Sequence, residues 1–477
     1  MRSVRILTIV LISGALVLGA LLDRAGTTVD TTSAVSTSAV AYSGPRGNTW
    51  FCPGGSDASG PARVGIEVIN AGPSEAHMVI TAMGSSPETE PVVDTIDVAM
   101  GGRAVVSLES FVPSDPWAAA VFETTNPSVM VRQLFDGPDG TDRSPCLTRT
   151  AESWVVPDGA TRIESEGERM ILLLFNPFPD DAVANIDFEA DVGLDSLEGV
   201  VAPARRVTVI DITDEVTVAS RVSAMIDVIS GRLAVSRIQT HQSDQARGLS
   251  VETASPGGAA VVHLPTVALA EGRTDIIHIT NPSFDETAQV DVEIVADTNV
   301  LLDPIELTIR PRRTVDVVIP DEPRLAELES FSLVVRSLSG IPVAASLDST
   351  TTPGGPLVVG AAASTGADIS STSWMVPIES SESATSDIVV VNPSSLAVAR
   401  VTFSLLDSRG ATVISTVELG PGRRTSVKST DFGDAQAVAR ISSTSPVVVG
   451  AELTGFTSRS MSAGVRAGDA IEFSDVP

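Results

Sequence analysis

The sequence predicts an all-β chain, with four tandem immunoglobulin-like β-sandwich modules behind an N-terminal apolar helix. Three observations predict it. A repeat near 105 residues carries four matched landmarks, the composition favours short strands, and turn signals recur about every ten residues. Hydrophobic residues make up 43% of the 477, enough to bury a sizeable core, while aromatics are only 4%. Val, Ser, Thr and Ala abound, which suits strands better than helical bundles. An eight-bladed β-propeller with two blades per repeat is the alternative, although the repeat shows no half-period.

The N-terminus comes first. Met1 to Arg5 holds two arginines and no acid, and the 17 residues Ile6–Leu22 are uninterrupted apolar. At ~1.5 Å per residue they span about 25 Å, close to the ~30 Å hydrocarbon core. The nearest small-x-small site, Ala39-Val40-Ala41, lies far downstream and favours an uncleaved anchor over a cleaved signal peptide. Residues 1–24 are therefore expected to be a signal anchor or signal peptide. Residues 6–22 would sit in the cytoplasmic membrane with the rest exported; secretion after cleavage is the alternative. Residues 25–47 form a Ser/Thr-rich stretch, with nine hydroxyl residues between 27 and 43, and read as a stalk. The two cysteines, Cys52 and Cys146, are expected to form one disulfide, as suits an exported chain.

The repeat follows. Its opening is Trp50-Phe51-Cys52-Pro53, then Trp154-Val155-Val156-Pro157, Val262-His263-Leu264-Pro265 and Trp374-Met375-Val376-Pro377. About twenty residues on, a strand runs into Asn70, Asn176, Asn281 and Asn392, which stand 106, 105 and 111 residues apart. An arginine then opens a β-branched strand at Arg103, Arg205-Arg206, Arg312-Arg313 and Arg423-Arg424. A short turn and an apolar strand end each unit, as in Ser230-Gly231-Arg232-Leu233 and Thr444-Ser445-Pro446-Val447. The module boundaries so placed are 48–150, 151–255, 256–370 and 371–477. Each unit reads as about seven short strands, and a single short helix is allowed at Glu322–Glu329.

These motifs resemble a family. Trp-x-x-Pro, a strand into Asn-Pro, and paired arginines before a β-branched strand are similar to exported actinobacterial proteins of the domain of unknown function 5719 family. Trp50-Phe51-Cys52-Pro53-Gly54-Gly55 carries the same likeness, and one lysine against 30 arginines fits a high-GC genome. The resemblance covers most of residues 50–455, and the third repeat departs from it by lacking the Trp. It implies an exported β-repeat protein and supplies no catalytic residues.

The chemistry is sparse. A net charge of −29 repels phosphate backbones and argues against nucleic-acid binding. His77, His241, His263 and His278 have no partner at metal-ligand spacing, and no Gly-x-Ser-x-Gly elbow occurs, so no enzyme is expected. Asp136, Asp139 and Asp142 cluster on one loop as a weak calcium candidate, although calcium loops want more oxygen ligands; no other cofactor is expected. The repeated tryptophans read as core, which leaves Trp117 as the candidate exposed anchor. The arginines at 205, 206, 312, 313, 423 and 424 read as partners of local carboxylates or as notches for an anionic ligand. The expectation is a non-catalytic, membrane-anchored envelope scaffold with a protein partner. A carbohydrate-binding or wall-attached adhesin is the alternative.

Overall fold

Strands make up nearly every element of the computed structural model, which describes residues 48–466 apart from short internal segments. The expected membrane segment 6–22 and stalk 25–47 lie outside the described residues. Helical content among the described residues is one α-turn, Ile212–Glu215, and short 3₁₀ turns. Within Glu322–Glu329, where one short helix is expected, there is a single such turn, Pro323–Leu325, and Ile319–Asp321 just before it is another. Pro320 and Pro323 each suit a first turn but not a helix interior.

Each repeat folds into eight strands rather than seven, and the fourth adds a short further strand, Val465–Arg466, beside its first. The first, third, fourth and sixth form one sheet in the order 4-3-6-1. The second, fifth, seventh and eighth form another in the order 5-2-7-8. In the second repeat the first sheet is Gly193–Ala202, Ala182–Ala190, Val222–Ser230 and Ser153–Val156. Its second sheet is Arg206–Asp211, Arg169–Asn176, Ala234–Gln242 and Arg247–Thr253. All four repeats share this order. In the first, a parallel bridge between Ser56 and Arg63 joins the two sheets. In the fourth, the sixth and seventh strands are one continuous strand, Ala437–Gly455, that passes from one sheet to the other.

Both sheets of a repeat feed one core. In the second repeat Ala184, Ile186 and Ile226 from one sheet meet Met170, Leu172 and Leu174 from the other, around Trp154. Trp50, Trp154 and Trp374 are all buried, as expected. The indole N–H of Trp154 donates to Leu233 O at 3.1 Å and that of Trp374 to Val447 O at 2.8 Å. In the second and fourth repeats the first and last landmarks are thus bonded to each other.

The repeated asparagine ties the two sheets. Asn70, Asn176, Asn281 and Asn392 are fully buried at the end of the second strand. Each amide donates to a carbonyl at the end of the fourth strand, Val98, Ala202, Ile309 or Leu419, at 2.9–3.0 Å. Each also donates to its own turn, and its Oδ1 accepts from the backbone N–H two residues on at 2.9–3.1 Å. That Asx geometry favours the proline that follows three of the four, because proline pre-sets the turn.

Successive repeats pack sheet to sheet. On Arg169–Asn176, Ile171, Leu173 and Phe175 join the first repeat's core while Met170, Leu172 and Leu174 face their own. A strand buried on both faces reads as an unbroken apolar run, and Met-Ile-Leu-Leu-Leu-Phe does so. Val155, Met225 and Ala344 join the second repeat to the third, and Ala367, Val389, Val391 and Val448 join the third to the fourth. Ile69, Met130, Met375 and Val438 join the fourth to the first. The eighth strands, Gly140–Pro145, Arg247–Thr253, Ala361–Thr365 and Arg459–Ala463, each pack on the next, and the last packs on the first. The eight sheets therefore follow one another in a closed cyclic order around these four axial strands. Packing there is close: a Cβ on Gly248 would lie 2.2 Å from the backbone nitrogen of Ala361.

Candidate functional site: arginines and clefts between repeats

The turn before each fifth strand needs one left-handed residue, and it is Gly101, Arg205, Arg312 or Gly422, with φ between 53° and 64°. Glycine takes this conformation freely and arginine at a cost. The arginines that follow consequently leave from different registers. Arg206 and Arg313 lie opposite Asn176 and Asn281, whereas Arg103 and Arg424 lie opposite Ile69 and Val391.

From these positions they reach the neighbouring repeat. Arg206 donates to Ser86 O and, at 3.0 Å, to Pro87 O of the first repeat. Arg312 donates to Asp187 and, at 3.1 Å, to Asp227 of the second, and stacks over Phe284 at 4.3 Å. Arg313 pairs with Glu189 at 3.6 Å. Arg424 donates to Asp297 at 3.3 Å and to Ser330 Oγ at 3.1 Å in the third. Arg103 closes the cycle by donating to Ile378 O of the fourth at 3.1 Å. Arg312, Arg313 and Arg424 thus pair with carboxylates of the neighbouring repeat, Arg206 reaches carbonyl oxygens there, and Arg103 also pairs with Glu67 of its own repeat. Arg205 stays exposed and Arg423 is half-buried.

The other candidates separate. Trp117 is half-buried against the first core instead of standing free as an anchor. Cys52 and Cys146 form a disulfide across 94 residues, which ties the first strand to the segment after the eighth. Asp136 is exposed, Asp139 accepts from Gln242 at 2.8 Å, and buried Asp142 accepts from the backbone N–H of Val251 at 2.6 Å. Asp139 and Asp142 thus turn to different partners. Glu75, His77 and Asp97 each place one atom within 4.8 Å of the others, and all three are exposed. A hydrogen bond donated to Asp97 raises the pKa of His77.

A buried charge cluster near the axis had no motif to announce it. Arg237 is fully buried, with Asp158 at 2.8 Å and Glu252 at 3.6 Å. His278 of the third repeat acts on Asp158, and Asp348 of the same repeat on Arg237. Burial pushes Glu252 well above the usual carboxylate range and raises Asp348. Burial is also the largest influence on Asp158 and opposes its ionisation, but Arg237, hydrogen bonds from Glu252 and Ser346, and His278 together hold that carboxyl low. His263, buried elsewhere, is pushed down to about 4, chiefly by burial. The available sequence signal for Arg237 was a lone charge inside the strand Ala234-Val235-Ser236-Arg237-Ile238.

Two clefts open at equivalent junctions. One of about 550 Å³ lies between the second and third repeats, lined by Arg221, Arg310, Arg313, Glu189 and Asp191. The other, about 530 Å³ between the third and fourth, is lined by Arg273, Arg424, Lys428, Glu329, Asp387 and Glu452. Arg221 is saturated by Glu189 and Asp316, and Arg273 by Asp275 and Glu452. Arg221, Arg310 and Lys428 escaped the sequence reading because they belong to no repeated landmark.

A family model described as Family of unknown function (DUF5719) matches residues 230–463, from the end of the second repeat's sixth strand onward. No curated protein matches the chain. A crystal structure of Thermotoga maritima 1070 aligns at 17% identity over 23% of this chain and 94% of its own, with a TM-score of 0.21. A tetra-tandem repeat from the extending region of a large adhesion protein aligns at 11% identity over 82% and 92%, with a TM-score of 0.08. An anti-sigma factor domain-containing protein from Clostridium clariflavum aligns at 9% over 82% and 98%, with a TM-score of 0.12. At such scores these likenesses carry no argument.

Proposed function

We propose, from the premise that this chain belongs through residues 230–463 to the Family of unknown function (DUF5719), that it is a non-catalytic, extracytoplasmic scaffold of the cell envelope. It would be held by the membrane segment 6–22, with four immunoglobulin-like sandwiches that present a protein-binding surface. The sheet orders support the sandwich reading. Strands 1-6-3 and 2-7-8 correspond to the B-E-D and C-F-G runs of that fold, with strands 4 and 5 added. The closed cycle of sheets has the angular arrangement of the propeller alternative, with a two-sheet core in each repeat, the first of them continuous with side chains of the second repeat.

One observation carries the scaffold reading: contacts from Arg103, Arg206, Arg312 and Arg424 link every repeat to a neighbour and the fourth back to the first. A cycle locked in this way is a compact platform, whereas a string of flexibly joined modules would be a spacer. Small-angle scattering of the purified ectodomain tests the shape. A compact body of this length has a radius of gyration of about 22 Å, and an extended string roughly twice that. The immobilised ectodomain would then be offered solubilised envelope proteins and purified wall glycans separately. A specific protein partner supports the scaffold. Saturable glycan binding would replace it with the carbohydrate-binding adhesin, a reading weakened by burial of Trp50, Trp154 and Trp374.

A further inference from the structure

We propose that the cleft between the third and fourth repeats binds an oxyanion group, a phosphate or a carboxylate, between Arg424 and Lys428. Three observations meet there. The fifth strand of the fourth repeat turns Arg424, Ser426 and Lys428 to one face, as alternate residues of a strand must, and all three line the cleft. About 13 Å separates the two cationic Cα atoms, within the combined reach of two long side chains. A ligand seated between them would also meet the Ser426 hydroxyl.

The second observation is an incompletely matched charge. The Arg424 side chain is 2% exposed, yet its nearest carboxylate is Asp297 at 3.3 Å, itself 47% exposed. Its Nε is buried and lacks a hydrogen-bond partner among the described residues. A buried guanidinium normally has its donors filled, and this one has a donor left over. Burial correspondingly lowers the arginine's pKa, which an added anion would reverse. Lys428 is exposed and forms no ion pair among the described residues.

The third is the contrast with the other repeats. The register positions of Arg424 and Lys428 hold Thr314 and Val318 in the third repeat, and Val207 and Asp211 in the second. Only the fourth repeat puts a cation at both, and Lys428 is the sole lysine of the chain. Of the carboxylates around the cleft, Glu452 is taken by two hydrogen bonds from Arg273 at 2.9 and 3.1 Å. Asp387 stands opposite Lys428 across the strand pair; burial raises its pKa and Lys428 lowers it.

The test is calorimetric titration of the full chain at low ionic strength, with inorganic phosphate and glucuronate as separate probes. One saturable site is expected for at least one probe, and which probe binds identifies the source of the oxyanion. R424Q should weaken binding by about tenfold or more, as befits loss of charge-assisted hydrogen bonds. K428Q, at an exposed position that keeps the fold, should weaken it about three- to tenfold. R310Q, in the neighbouring cleft, should leave it unchanged. No saturable binding by either probe, K428Q binding like the native chain, or equal loss in R310Q would each overturn the proposal.

Discussion

Replacing Arg237 by methionine removes the one guanidinium from the axial charge cluster while nearly keeping its volume. At an effective dielectric of about 20, contacts of 2.8 Å to Asp158 and 3.6 Å to Glu252 correspond to attractions of roughly 6 and 5 kcal/mol. Desolvating each ion costs several kcal/mol, so the intact cluster is worth far less than their sum. Deleting one partner leaves the others buried and uncompensated, at about 3–5 kcal/mol. That loss should depend on pH, and its sign follows from the carboxyls. Glu252 and Asp348 already sit above their ordinary values, chiefly through burial, and Asp158 would join them once Arg237 is gone. Groups raised in the folded state favour folding at low pH and lose that contribution as pH rises through the raised values. Urea unfolding of native chain and R237M, followed by circular dichroism and tryptophan fluorescence, should show the full deficit at about pH 7.5 and a smaller one at about pH 5. A deficit below about 1 kcal/mol at the higher pH, or one that does not change with pH, would refute the reasoning.

Other perturbations test the remaining links. Arg312→Ala should cost about 1–3 kcal/mol, and a double-mutant cycle with Asp227→Ala should show coupling above about 0.5 kcal/mol, whereas simple additivity would deny the contact between repeats. Asn281→Ala strands Ile309 O, Glu286 O and the Ser283 N–H and should cost about 3–4 kcal/mol in thermal or urea unfolding. Asn281→Asp should not rescue it, because a carboxylate cannot donate to two carbonyls. Removing the Cys52–Cys146 bridge by a double alanine change should cost up to about 4–5 kcal/mol, read as a lower urea midpoint. His263 stays uncharged down to about 4 in the folded chain, against 6.5 when unfolded. Its contribution to stability is present above pH 6.5 and lost as pH falls toward 4, up to about 3 kcal/mol. His263→Phe should flatten that part of the pH profile, and an unchanged slope would count against the burial of a neutral imidazole.

How much was legible in advance differs from element to element. The tryptophan, the asparagine and the closing Leu233 or Val447 segment were visible as landmarks because each performs the same local task in several repeats. Asparagine and proline mark a turn by their own bonding and torsional preferences, and alternating Val, Ile and Thr mark strands. The apolar run of Arg169–Asn176 even carried the trace of burial on both faces. The eighth strand of each repeat went uncounted because Ala361–Thr365 and Gly140–Pro145 are short and rich in small or polar residues. Their burial depends on each other rather than on alternation. The fate of the arginines was equally hidden, since Arg312 meets carboxylates 125 and 85 residues away.

By itself the sequence determined that the chain is β-rich, repeated four times, and able to bridge its two cysteines. Those properties follow from local periodicity, composition and spacing, which every segment carries within itself. Tertiary structure alone decided that the fourth repeat meets the first, that the arginines clamp neighbours, and that Arg237 is enclosed by carboxylates from several strands. It also decided that Arg424 and Lys428 share an open cleft. These are facts of closure: small rotations between successive sheets add up around an axis, and no segment of the chain encodes their sum.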